Sequence, residues 1–134
     1  MRRRPIYLIL DTSAIRAFAR ASIDVGEIIS EVNDEAAAVG LPVLCLVEAN
    51  RTAADQERLE VLLRHEAATV LDVRAGNWRE LAALSTGIDS LPAASAALAT
   101  IDLRCFILTG EPELYVGSGM ADRIIPLPPL SSGR

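Results

Sequence analysis

Short apolar runs alternate along the chain with longer amphipathic segments, a pattern that predicts β-α-β units and a parallel sheet. Residues 7–10 read as a first strand that ends at Asp11. Two helices follow, at 12–20 and 25–39. In the second, Ile28, Ile29, Val32 and Ala36 recur at helical spacing. Gly40-Leu41-Pro42 reads as the end of that helix, and 43–46 as a second strand. Glu48 then falls on a helix. Another helix, from Asp55 to about His65, places Leu59, Leu62 and Leu63 on one face. Residues 69–73 suit a third strand. Asn77-Trp78-Arg79-Glu80 has the spacing of a capping box and opens a short helix to Leu84. Ser90-Leu91-Pro92 opens a helix continued by the alanine-rich 93–99. Residues 104–108 read as a fourth strand. Residues 124–127 read as a short edge strand, since Pro126 has no ladder donor. The tail 128–134 reads as loose.

The fold expected from this order is one three-layer α/β/α domain. Its sheet is mainly parallel, with four or five strands. No repeat or domain boundary interrupts it.

Composition narrows the picture. The chain has 134 residues, 51% hydrophobic and 23% charged, enough for a sizeable core and unlike a disordered segment. The apolarity leads to an expected homodimer or bound partner. No apolar run approaches the roughly 18–20 residues of a membrane span. Arg2-Arg3-Arg4 resembles the start of a signal peptide. The apolar run after it stops at Asp11, short of the roughly 7–15 residues of a signal core, so a cytoplasmic location is expected.

Net charge is −5, which argues against a broadly basic nucleic-acid-binding surface. All 13 lysine-plus-arginine residues are arginine. Cys45 and Cys105 sit inside apolar runs and read as buried free thiols. With His65 alone beside them, a closed zinc site is not expected.

The chemistry lies in acids that follow apolar runs. Asp11 ends the first run, Glu48 follows 41–47, and Glu111 follows 105–110. Open α/β sheets bind ligands at the carboxyl ends of their strands. Carboxylates brought there from separate elements repel one another and call for a hard cation, Mg²⁺ or Mn²⁺. Thr12, Ser13 and Thr109 stand beside these acids, as water- or phosphate-binding hydroxyls or as helix caps. Arg16, Arg20 and Arg51 lie just beyond them, as RNA-backbone contacts or ordinary helix surface. His65 reads as a helix-end cation. Trp78 and Tyr115 read as partly buried side chains rather than base-stacking platforms.

The chain resembles the PIN-domain family, especially single-domain toxin ribonucleases of the VapC type, over about residues 6–127. Asp11-Thr12-Ser13-Ala14 is similar to the motif that ends that family's first strand. Glu48 matches its acid after the second strand. The segment 92–99 matches its alanine-rich helix, and Thr109-Gly110-Glu111 its last strand end. The resemblance implies a Mg²⁺/Mn²⁺-dependent endoribonuclease acting on RNA, with an antitoxin protein as partner. It carries Asp11, Glu48 and Glu111 over as metal-ligating, catalytic residues. Two departures weaken that expectation. The third family acid falls on Pro92, which has no ligand, and the fourth is Glu111 rather than the shorter Asp. Asp89, three residues before Pro92, is the substitute candidate. The alternative is a degenerate domain that binds RNA or a protein without cleaving. A flavodoxin-like phosphoacceptor is disfavoured, because it needs a lysine late in the chain.

Overall fold

The computed structural model describes residues 4–52 and 55–128. Its one sheet has five strands, all parallel: β1 (Ile6–Leu10), β2 (Ala38–Pro42), β3 (Ala68–Leu71), β4 (Phe106–Thr109) and β5 (Ile124–Pro126). Six helices complete an α/β architecture consistent with three α/β/α layers: α1 (Thr12–Ala19), α2 (Ile23–Asp34), α3 (Val43–Thr52), α4 (Gln56–Arg64), α5 (Trp78–Ile88) and α6 (Leu91–Leu103). Most of the expected loose tail lies outside the described residues.

Strand order is β3-β2-β1-β4-β5. The chain grows outward from β1 in one direction through β2 and β3. It then returns to the other side of β1 for β4 and β5. The reversal falls between β1 and β4, and a crevice opens there at the carboxyl ends of the strands. Leu8, Ile9 and Leu10 are buried in succession, as expected for a strand covered on both faces. Ile107 and Leu108 sit beside them on β4. The edge position expected for Pro126 is observed. There it pairs with Thr109, at the outer strand of the sheet.

Two expected boundaries are corrected. The second helix stops at Asp34 rather than running to 39, and the second strand is 38–42 rather than 43–46. The helix stop is a closed C-terminal motif. Ala36 adopts φ 57°, its N–H bonds to the Asn33 carbonyl at 2.9 Å, and the Ala37 N–H bonds to the Val32 carbonyl at 3.1 Å. Alanine-rich 36–38 reads as helix by propensity, but tertiary packing overrides it. The strand occupies a narrow slot between β1 and β3. A Cβ added at Gly40 would stand 2.7 Å from Leu71 Cδ1 and 2.9 Å from Ile9 Cδ1. The apolar run after Pro42 is the helix α3, whose buried residues Cys45 and Ala49 stand one helical turn apart.

Smaller differences have similar causes. α5 reaches Ile88 rather than Leu84, and Asn77 does not cap it: its amide donates to Asp102 Oδ2 at 3.4 Å. α6 starts as expected, with Ser90 Oγ accepting the Ala93 N–H at 3.1 Å, but extends past 99 to Leu103. Arg104, at φ 54°, closes it, so β4 starts at Phe106 rather than 104. β3 comes one residue early and ends at Leu71 instead of 73. Trp78 is 60% exposed, not partly buried.

Among the described residues, the four non-glycine residues with left-handed backbone, Ala21, Ala36, Asp89 and Arg104, all follow helix ends. A Cβ makes that conformation costly, by roughly 1–2 kcal/mol. Ala36→Gly should therefore stabilise the protein by about 1 kcal/mol, seen as a higher urea midpoint at unchanged slope. A lower midpoint would contradict the assignment of this turn.

Candidate functional site

Asp11 ends β1 and caps α1. Its Oδ1 accepts the Ala14 N–H at 3.0 Å and the Ser13 hydroxyl at 2.7 Å. Its Oδ2 accepts the Tyr115 hydroxyl at 2.7 Å. The residue is 2% exposed, and these three donors offset the desolvation of its carboxylate. Burial, and then the nearby Asp11 charge, push the Tyr115 phenol above its ordinary pKa, so it remains a donor.

The two hydroxyls of the motif do different work. Ser13 Oγ also accepts the Gly110 N–H at 2.8 Å and lies 3.3 Å from Thr109 Oγ1. Thr109 Oγ1 in turn accepts the Glu111 N–H at 2.9 Å. Together they fasten the loop after β4 to the start of α1, across the crevice between the two strands. Thr12 Oγ1 is buried with no hydrogen-bond partner, close to the Cys45 thiol. That thiol donates to the Pro92 carbonyl at 3.2 Å, and burial pushes its pKa up to about 11. Burial likewise raises Cys105 to about 11. Both are buried free thiols, as expected.

All four candidate acids, Asp11, Glu48, Asp89 and Glu111, line one cleft of about 330 Å³. Pro92, Thr12, Arg16 and Tyr115 line it as well. Different parts of the fold supply the acids. Asp11 comes from the end of β1, Glu48 from α3, Asp89 from the α5–α6 turn, and Glu111 from the loop after β4.

Convergence on a cleft is not the same as a cluster. Among the described residues, no three acidic, histidine or cysteine side chains are grouped so as to hold a metal ion. Glu48 is paired with arginines: Oε1 lies 3.2 Å from Arg51 Nη1, and Oε2 lies 3.7 Å from Arg16 Nη2. Arg16 also donates from Nε to Thr52 Oγ1 at 2.8 Å. The donor set is all carboxylate oxygen, which suits Mg²⁺ or Mn²⁺ in kind. In this arrangement Asp11 and Glu48 already have partners on their oxygens.

The remaining candidates disperse. Arg20 lines a neighbouring groove of about 550 Å³, which shares Arg16 and Glu111 with the cleft. Arg51 is engaged with Glu48. His65 caps the end of α4, where its Nδ1 accepts the Ala67 N–H at 3.0 Å. Trp78 does not line the cleft; the Arg79 guanidinium lies 4.7 Å from its ring centroid. A separate, largely apolar hollow of about 300 Å³ lies among Leu71, Leu81, Leu98 and Leu103, away from the four acids. Sequence reasoning gave Tyr115 no site role. The available signal was its position four residues beyond Glu111, on the same short loop.

No protein-family model matches the chain, and no curated protein matches it.

Proposed function

We propose that the chain is a PIN-like, Mg²⁺/Mn²⁺-dependent endoribonuclease of weakened activity, of the kind that serves as toxin in a toxin–antitoxin pair. The observation that carries this reading is the convergence of four carboxylates on one cleft, beside the strand-order reversal. Asp11, Glu48 and Glu111 would hold the cation, with Asp89 in place of the acid missing at Pro92. When bound, such a cation activates water and offsets charge on the phosphodiester oxygens. The chain's own contribution is positional. Ser13 and the Ala14 N–H orient Asp11 through its Oδ1, and Ser13 with Thr109 sets the loop bearing Glu111.

The weakness has two sources. Pro92 supplies no carboxylate, and Arg16 brings a fixed positive charge into the cleft. That second feature favours the other reading, a degenerate domain that binds RNA or a protein without cleaving it. Mn²⁺ titration by calorimetry and cleavage of labelled single-stranded RNA separate the two. The nuclease reading expects millimolar Mn²⁺ affinity and slow cleavage that Asp11→Asn abolishes. Pro92→Asp should tighten Mn²⁺ binding by about tenfold, the equivalent of one added charge contact, and raise the rate. Absent cleavage in both wild type and Pro92→Asp would favour the binding-only reading. Brisk cleavage with micromolar Mn²⁺ affinity in the wild type would show that the site is not weakened.

A partner surface belongs to the same proposal. Ile101, Leu103 and Phe106 are exposed near the α6–β4 junction, which supports a homodimer or a bound antitoxin segment. Among the described residues, no helix is long and apolar enough to cross a membrane.

A further inference from the structure

Tyr115 ends a short 3-10 turn, Pro112–Tyr115, that begins one residue after Glu111. Its hydroxyl reaches into the cleft floor and donates to Asp11 Oδ2. The other Asp11 oxygen is already held by Ser13 and Ala14. Oδ2 is therefore the Asp11 oxygen held by a single donor, the phenol. A cation held by Asp11 and Glu111 would compete with the phenol for that oxygen.

We infer that Tyr115 acts as an internal stopper on Asp11: its hydroxyl holds the carboxylate oxygen that a divalent cation would use, and so sets the cation threshold of the cleft. This rests on the metal-dependent reading proposed above. Three features support it. Tyr115 is 1% exposed, so water does not compete for its hydroxyl. A bond to a carboxylate is stronger than one between neutral groups. The turn is also fastened where it ends. Gly117 and Gly119 follow it with φ of 87° and 82°, and the Ser118 hydroxyl holds the Tyr115 carbonyl at 2.6 Å. Glu111 and Tyr115 lie on one loop, so one segment places both the phenol and the Glu111 carboxylate. Tyr115 is a positioning residue in this account. It touches Asp11 and not the substrate.

The test is the affinity for Mn²⁺ alone, measured by calorimetry on the full chain. Tyr115→Phe keeps the ring and removes the hydroxyl. It should lower the Mn²⁺ dissociation constant by about tenfold, the order expected for freeing one charge-assisted hydrogen bond. The gain should vanish in the Asp11→Asn background, an outcome that a general loosening of the loop would not produce. Unchanged or weaker Mn²⁺ affinity in Tyr115→Phe, with wild-type binding still dependent on Asp11, would overturn the stopper and leave the metal site standing. No Mn²⁺ binding by either protein at millimolar concentration would overturn both. A second measurement leaves the Tyr115 hydroxyl in place. The chain has two tyrosines, so Tyr7→Phe leaves Tyr115 as the sole one. Mn²⁺ should then change the near-ultraviolet tyrosine spectrum as the phenol leaves its carboxylate, and should not do so after Asp11→Asn. A flat spectrum at saturating Mn²⁺ would contradict the stopper.

Discussion

Asp11→Ala should lower the unfolding free energy by about 3–5 kcal/mol, while Asp11→Asn should cost about 1 kcal/mol. The difference follows from the three donors aimed at this side chain. Alanine removes the α1 cap, worth about 1 kcal/mol in comparable helices. It also strands the Tyr115 hydroxyl, a buried donor whose loss of a partner costs roughly 1–3 kcal/mol. Ser13 loses its acceptor but still faces Thr109 Oγ1 at 3.3 Å. Loss of the buried charge acts in the opposite sense, because its desolvation cost disappears. Three hydrogen bonds to one carboxylate outweigh that gain. Asparagine keeps an oxygen for the Ala14 N–H and the Ser13 hydroxyl, and its amide can donate to a turned Tyr115 hydroxyl. Both variants remove the charge that a cation needs. Urea denaturation separates the structural effect from the loss of Mn²⁺ binding. Equal destabilisation by Ala and Asn would show that capping and hydrogen bonding are not what Asp11 contributes to the fold.

Ala97→Leu should be nearly as damaging, by about 3 kcal/mol, with a fall in melting temperature of about 10 °C for a domain of this size. α6 packs against β1, β2 and β4, and also against α3 and α5. Ala93, Ala94, Ala96 and Ala97 are all buried, the last three with no exposed surface. These small side chains let the helix lie close to its neighbours, and three extra carbons at Ala97 enter a position with no exposed surface. Either the helix lifts or the strands part. Lifting would also move Ser90 and Pro92 at its start, and these line the cleft. Leucine at Asp102, an exposed position on the same helix, is the control and should shift the melting temperature little. A small effect at Ala97 would mean that the layer between helix and sheet is looser than its burial indicates.

Much of the architecture was readable in the chain because it rests on short-range physics. Tyr7 to Leu10 forms a strand because its apolar residues run together and then stop at a residue suited to cap a helix. Ser90 and Asp55 announce their helices through hydrogen bonds only three residues long, and both caps form. The β2–α3 boundary was misplaced for a reason that is also physical. Ala36 to Val47 is a small and apolar stretch whose local preferences fit helix and strand alike. The choice is made by β1 and β3, which close on Gly40 from both sides.

The site divides in the same way. The sequence by itself determined that Asp11, Glu48, Asp89 and Glu111 follow or join the elements whose ends define a cleft. Only the tertiary structure decided what each carboxylate meets there. Glu48 meets Arg16 and Arg51, from two different helices. Asp11 meets a phenol 104 positions away along the chain. Periodicity and capping are written between near neighbours and survive without the fold. The availability of a carboxylate oxygen depends on which distant donor reaches it first, and only the assembled sheet and its loops settle that.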